Sequence, residues 1–398
     1  MSNSLHYTTK YRPEIDGLRA LAVLPVVLFH AGLGCPGGYI GVDIFFVISG
    51  FLITSIIQKQ LRNGTFVMSH FWEKRIRRIL PALAVVILCT IAGASFSFYP
   101  SAFEDFGKEL IAQSSLISNF YFWQQDGYFA APSESQALLH TWSLAVEEQF
   151  YFVFPFVLTW LFTRKNSSEK KTLLSISLIL AASLIWSCIG VYKYPTATFF
   201  LLPARAWEMM LGAFIALYIP QKIWSHTINS LISWISLSTI FYCIYKYDST
   251  VPFPGIAALA PCLATVALIF CNQSKLTTPA KILSLRPVVF VGKISYSFYL
   301  WHWPIIVFAK YTAVDTLAGE ARWGLVGASF VMAVLSWRYI ETPFRTSSFS
   351  RKHVFRAFYI STAIFILCGL IIYKGDGWQQ RLPSDVIELA AVGDERIK

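Results

Sequence analysis

Charge is what this sequence has least of. Only 14% of its 398 residues are charged, 55% are hydrophobic, and the mean hydropathy is +0.53. A soluble chain of this size would not tolerate so much apolar surface, so the composition implies a polytopic membrane protein. Short alternating segments are missing too. The apolar runs are ~17–25 residues long, which excludes a membrane β-barrel and leaves helices. There is no P-loop, no G-x-G-x-x-G, no H-E-x-x-H and no metal-ligand cluster, so soluble nucleotide and zinc chemistries are not indicated. The seven cysteines form no C-x-x-C pair; Cys89, Cys188, Cys243, Cys262 and Cys368 read as small apolar fillers, and Cys35 has no obvious partner. Long repeats and low-complexity tracts are absent. The first apolar stretch holds Arg19 and His30 and lacks a small-residue cleavage site, so it reads as a span rather than a removable signal.

What is present is a series of helix-length apolar segments. They predict spans near 16–34, 42–58, 79–99, 140–162, 172–192, 197–219, 228–246, 254–271, 288–310, 322–340 and 354–373, about eleven in all. Segment 105–123 is amphipathic and is expected at the interface instead. Basic residues gather in alternate loops: Lys59, Arg62, Lys74, Arg75, Arg77 and Arg78; Arg164, Lys165, Lys170 and Lys171; Lys275, Lys281 and Arg286; Arg345, Arg351, Lys352 and Arg356. The positive-inside rule puts these loops and the N-terminus in the cytoplasm, and an odd number of crossings puts the C-terminal tail outside. The net charge of +11 is therefore mainly a topology signal, and nucleic-acid binding is a poor reading of it. The expected organisation is a membrane domain over 1–345, a further helix over 346–373 and an extracytoplasmic tail over 374–398.

Several polar groups stand out against this background. Arg19 and His30 are eleven residues apart. On a helix they share a face to within roughly 20°, with His30 about 16 Å deeper, near mid-bilayer. An ionisable group at that depth marks either a functional cavity or a ring bonding a nearby carbonyl. Arg75 and Arg78 are helical neighbours able to converge on one anion; lipid anchoring is the alternative. Gly34, Gly37, Gly38 and Gly41 precede Asp43 and allow either close approach to a ligand or a simple hairpin. Asp43 itself could pair with a basic group or bind a sugar hydroxyl. Ser49 and Gly50 read as packing residues. His140, Ser143, Glu147 and Tyr151 form one helical stripe, from which Glu147 could orient His30 as a carboxylate orients an imidazole in hydrolytic triads. Arg205 and Glu208 read as a mutually neutralising pair, and His302, between Trp301 and Trp303, as part of an aromatic belt. Glu341 lies beside Arg338 and Arg345.

Taken in order, YRPEIDGLRALAVLPVVLFH, GGYIGVDIFFVISGFLIT, RIRRILP, LLHTWSLAVEEQFYFVFP, RAWEMMLGA, GKISYSFYLWHWPI and YIETPFR resemble the acyltransferase family 3 membrane proteins over residues 11–345. The resemblance implies a ten-helix bundle that passes an acyl group, usually acetyl, from cytoplasmic acetyl-CoA to an envelope carbohydrate hydroxyl at the outer face. It maps the family's Arg-x10-His motif onto Arg19 and His30, its Arg-x-x-Arg motif onto Arg75 and Arg78, and its glutamates onto Glu147 and Glu341. One branch adds an eleventh helix and an SGNH-type domain; the helix at 354–373 resembles that branch, while no D-x-x-H follows it here.

The resulting expectation is an inner-membrane O-acyltransferase using acetyl-CoA and no metal. Its acceptor is a lipopolysaccharide O-antigen sugar ahead of peptidoglycan, exopolysaccharide or lipid-linked sugars. His30, Glu147 and Asp43 are expected to be catalytic; Arg19, Arg75, Arg78 and Glu341 to hold the coenzyme; Tyr151, Trp142 and His302 to contact substrate. In this scheme His30 acts as general base or carries the acyl group transiently. The competing expectation is a transporter or flippase with an Arg19, His30 and Glu147 relay, and behind it a membrane scaffold.

Overall fold

The computed structural model describes residues 11–125, 135–165, 168–218, 224–313 and 315–382. They fold as α1 (Pro13–His30), α2 (Gly41–Arg62), α3 (Met68–Ser97), α4 (Pro100–Ser114), α5 (Ser118–Trp123), α6 (Thr141–Thr163), α7 (Glu169–Lys193), α8 (Pro195–Phe200), α9 (Leu202–Leu217), α10 (His226–Lys246), α11 (Leu259–Cys271), α12 (Thr278–Leu283), α13 (Arg286–Thr312), α14 (Gly319–Ser336), α15 (Thr342–Thr346) and α16 (Arg351–Lys374), with no strand among the described residues. This is an all-α polytopic membrane protein. Each of the eleven apolar stretches contains a helix, and among the described residues eight segments are long and apolar enough to cross a bilayer. The 13-residue α11 is too short to count among them. α1 is left out for a different reason: Glu14, Asp16 and Arg19 interrupt its apolar sequence. The 27-residue α13 carries Lys293, Ser295, Tyr296, Tyr299 and His302 along its middle. α1 and α13 lie side by side, and His30 and His302 face each other inside the bundle. That is where ionisable side chains in a membrane protein belong.

Small residues set the spacing of the main seams. A Cβ on Gly50 would lie 1.9 Å from the Met209 carbonyl oxygen, and one on Gly212 would lie 2.0 Å from that of Val47, so α2 and α9 meet backbone to backbone. Gly50 therefore packs as expected. On the other seam, a Cβ at Gly292 of α13 would meet the Asp16 carbonyl of α1 at 1.8 Å. That contact is near the start of both helices, and His30 meets His302 near the end of α1, so α1 and α13 run in the same direction.

Two sequence expectations need correction here. Helix α1 was expected to run to about residue 34, which would place His30 inside it. It ends at His30, because Gly32 and Gly34 adopt left-handed backbone conformations (φ 67° and 81°) that a helix cannot continue through. His30 is thus a helix-terminal residue turned into the bundle, and α1 passes through Pro25 without a break. The glycines that follow bring the hairpin against helices, not a ligand: Gly37 abuts the Cys243 carbonyl, Gly38 that of Pro25 and Gly41 that of Ala22.

Segment 105–123 does not form a continuous long helix. α4 and α5 are separated at Leu116 (φ 58°), and α4 packs along α16. After α16 the chain turns at Asp376–Trp378, and the Arg381 guanidinium donates to the Ser95 and Phe98 carbonyls at the end of α3. Of the tail expected over 374–398, residues 383–398 lie outside the described residues.

Candidate active site

A cavity of about 410 Å³ opens between α1, α2, α3, α6 and α13. Its walls run along α2 from Gln60 to Val42, which at ~1.5 Å per residue is roughly 27 Å. One end is cationic. His70, Lys74 and Arg78 follow one another at four-residue spacing on α3, Arg75 lies three before Arg78, and Arg19 enters from α1. Arg19 keeps a 3.5 Å ion pair with Asp16, and Arg75 one of 3.5 Å with Glu148, while the Arg75 guanidinium lies 3.9 Å above the Tyr151 ring. Lys74 and Arg78 make no hydrogen bond or ion pair with any described side chain. Two cations that face a half-enclosed cavity with no direct ion pair to a described side chain suit it to a multiply charged anion.

Midway along, Glu147 accepts hydrogen bonds from the hydroxyls of Ser49 and Tyr151. Ser49 is therefore a cavity residue and not the packing residue expected. The stripe read on α6 does bring Ser143, Glu147 and Tyr151 to one wall. Glu147 is not bonded to His30, so the triad-like pairing is corrected: its partners are these two hydroxyls.

The far end is closed by a hydroxyl pair. Tyr299 of α13 has its OH 2.8 Å from Ser143 Oγ and donates to the His140 carbonyl at 2.8 Å, tying α13 to the start of α6. Both side chains line the cavity; His30, His140 and His302 do not. One turn beyond Tyr299, the His302 ring is nearly coplanar with the His30 ring (centroids 5.2 Å apart, planes at 18°), with His30 Nδ1 2.9 Å from His302 Nε2. Trp303 packs edge-on to His30 at 4.6 Å. The His140 ring lies 6.0 Å from that of His302 and has no hydrogen-bond partner on either nitrogen. His302 is fully buried, so the aromatic-belt reading is corrected as well. Sequence reasoning gave Lys74 to topology and Ser49 to packing, and passed over His70 and Tyr299. A signal for the last was available: Ser295, Tyr299 and His302 are spaced by four and three, a polar stripe on an apolar helix.

Three expected site residues stand elsewhere. Asp43 is fully buried and ion-paired to Arg205 at 3.1 Å, and Arg205 also reaches Glu208 at 3.2 Å. Trp142 does not line the cavity. With Phe46, Phe199 and Phe253 it surrounds the Arg205 guanidinium at 5.4–5.7 Å. Glu341 accepts from Ser297 at 3.2 Å and lies within electrostatic reach of Arg78 and Arg19, behind the cavity wall. Oxygens of Asp43 and Glu208 and the Cys262 sulfur lie within 4.8 Å of one another, but Arg205 already provides positive charge to that group. The cluster ties α2 to α9 through one cation. Arg205→Met is expected to cost about 3–5 kcal/mol, since it strands two buried carboxylates. A lowered unfolding midpoint in detergent would register this; an unchanged one would show that the guanidinium is dispensable.

Comparison with known proteins bears on this geometry. Residues 12–342 match the family model described as an acyltransferase domain. The O-acetyltransferase OatA of Staphylococcus aureus is 32% identical over 361 residues, covering 86% of this chain and 58% of that protein. The peptidoglycan O-acetyltransferase OatA of Listeria monocytogenes is 33% identical over 371 residues, covering 88% and 58%. The chain thus spans about 58% of the length of these curated relatives. No solved structure matches it.

Proposed function

The chain belongs to the acyltransferase domain family, and from that premise we propose that it transfers an acetyl group from acetyl-CoA to a hydroxyl of an envelope carbohydrate. One observation carries the reading: a single cavity joins Lys74 and Arg78, neither of which makes a hydrogen bond or ion pair with a described side chain, to the Ser143–Tyr299 pair, one turn of α13 short of His302, the hydrogen-bond partner of His30. The phosphates of coenzyme A sit at the cationic end, beside Lys74, Arg75, Arg78 and Arg19, and the pantetheine arm lies along Ile53, Leu52 and Phe45. The charge distribution among the loops supports a cytoplasmic position for that end. The thioester then reaches Tyr299, whose hydroxyl must leave Ser143 and the His140 carbonyl before the acyl carbon can approach His30.

In the transfer itself, His30 Nε2 takes the proton of the acceptor hydroxyl as the oxygen forms its bond to the thioester carbonyl carbon. The C–S bond breaks, and the imidazolium returns the proton to the sulfur, so coenzyme A leaves as the free thiol. The acceptor is a cell-envelope glycan at the opposite face. O-antigen sugars remain the expectation from the sequence; the name of the Listeria relative makes peptidoglycan the first competitor.

The test is acetyl-labelled coenzyme A supplied to the full chain in nanodiscs, followed by mass spectrometry of envelope glycans with and without the protein. Label arriving on a sugar hydroxyl is the expected result, and the sugar carrying it identifies the acceptor. Gradient-driven uptake with no covalent transfer would overturn the proposal in favour of a carrier.

A further inference from the structure

We infer that His302 is a positioning residue that sets the tautomer of His30, holding the proton on His30 Nδ1 so that the lone pair stands on Nε2. The inference rests on the reading of His30 as the base, and it follows from two contacts taken in sequence. His302 Nδ1 lies 2.6 Å from the Tyr299 carbonyl oxygen, three residues back on α13. A carbonyl oxygen only accepts, so this nitrogen carries a hydrogen; a bare nitrogen there would set two lone pairs against each other. A neutral His302 then has a bare Nε2, which is the atom 2.9 Å from His30 Nδ1. Two bare nitrogens cannot share a hydrogen bond, so His30 Nδ1 is the donor and the His30 lone pair is on Nε2.

The His302 ring is fully buried and nearly coplanar with that of His30, so flipping it would trade both bonds for unmet groups. Trp303, edge-on to His30, is itself held by its indole N–H donating to the Gln136 carbonyl at 2.8 Å. The tautomer matters because an imidazole free in water favours the opposite one, with hydrogen on Nε2. A base whose outward nitrogen already carries a proton cannot take another from the acceptor. The device has the logic of an oriented catalytic histidine with an imidazole in the place a carboxylate often takes. It also explains why Glu147, bonded instead to Ser49 and Tyr151 at mid-cavity, is not needed for that task.

The tautomer can be read without any activity. In full-length protein labelled with 15N-histidine in nanodiscs, the His30 signals are identified by their loss in His30→Gln. Expected are a protonated Nδ1 and a bare Nε2 in the wild type, reversal of the two in His302→Leu, and restoration in His302→Gln, whose amide oxygen can accept from Nδ1. In parallel, kcat is expected to fall about tenfold or more in His302→Leu with KM for acetyl-CoA unchanged, and to recover in part in His302→Gln. A wild-type spectrum with hydrogen on His30 Nε2 overturns the inference, and that measurement stands even if the variants fail to fold. Retention of the Nδ1 hydrogen in a folded His302→Leu protein overturns it too. Failure of the underlying reading looks different: the tautomer would be as stated while His30→Ala still transferred acetyl groups.

Discussion

His30→Ala is expected to abolish acetyl transfer while leaving the protein inserted, folded and able to bind its donor. General-base catalysis by a positioned side chain is worth about 10²–10⁴ in rate, and loss of an essential base removes all of it. The structure makes the expectation sharper than a simple loss of activity. His30 is separated from the cationic end of the cavity by Tyr299 and Ser143, and it contributes no atom to the cavity wall. Its removal should therefore leave acetyl-CoA affinity within about twofold, so that kcat falls and the donor constant does not. The structural cost includes the lost hydrogen bond to His302 and its unmet Nε2, on the order of 1–3 kcal/mol, which a thermal melt would show separately. Single-turnover transfer from labelled acetyl-CoA, measured beside equilibrium binding, distinguishes the two effects. Normal transfer in a folded His30→Ala protein would remove this histidine from the reaction and return the intramembrane polar groups to a structural role.

The features legible in the sequence were those that helical periodicity alone determines. α6 presents Ser143, Glu147 and Tyr151 on one face because four residues make about one turn, and the structure places all three on the cavity wall. Arg75 and Arg78 were legible for the same reason. Contacts between distant residues were not. His30 and His302 are 272 positions apart, and nothing local to either announces the other. Asp43 and Arg205 meet only because α2 and α9 are drawn together by Gly50 and Gly212. A pattern of isolated polar residues in apolar helices says that partners exist, but packing decides which. Trp142 illustrates the same limit: it was expected to contact substrate, while its ring closes around Arg205. The end of α1 was missed for a local reason that the sequence did contain, since Gly32 and Gly34 closely follow His30 and stop the helix.

Arg78→Ala and Arg75→Ala should both weaken acetyl-CoA binding, but not in the same way. Arg78 has no partner among the described residues, so its guanidinium is uncommitted before the donor arrives. A charge-assisted hydrogen bond contributes about 1.5–3 kcal/mol, and its loss at Arg78 corresponds to roughly 10–100-fold in affinity. Stability should change little, because the repulsion of Arg78 with Arg19 and Arg75 is removed together with its attraction to Glu341. Arg75 is already bound to Glu148 and lies over Tyr151, so Arg75→Ala releases a carboxylate at 17% exposure and loosens the α3–α6 contact. It should lower both donor affinity and the melting midpoint. Together the two changes are expected to reduce affinity about 10²-fold or more, and the deficit should shrink as salt screens the remaining charges. Acetyl-pantetheine, which keeps the thioester and lacks the phosphates of coenzyme A, provides the control. Wild type and double variant should use it equally, because the interaction removed is with phosphate. Unchanged acetyl-CoA affinity in a folded double variant would leave Arg75 and Arg78 as topology anchors, and the donor would then need another route to His30.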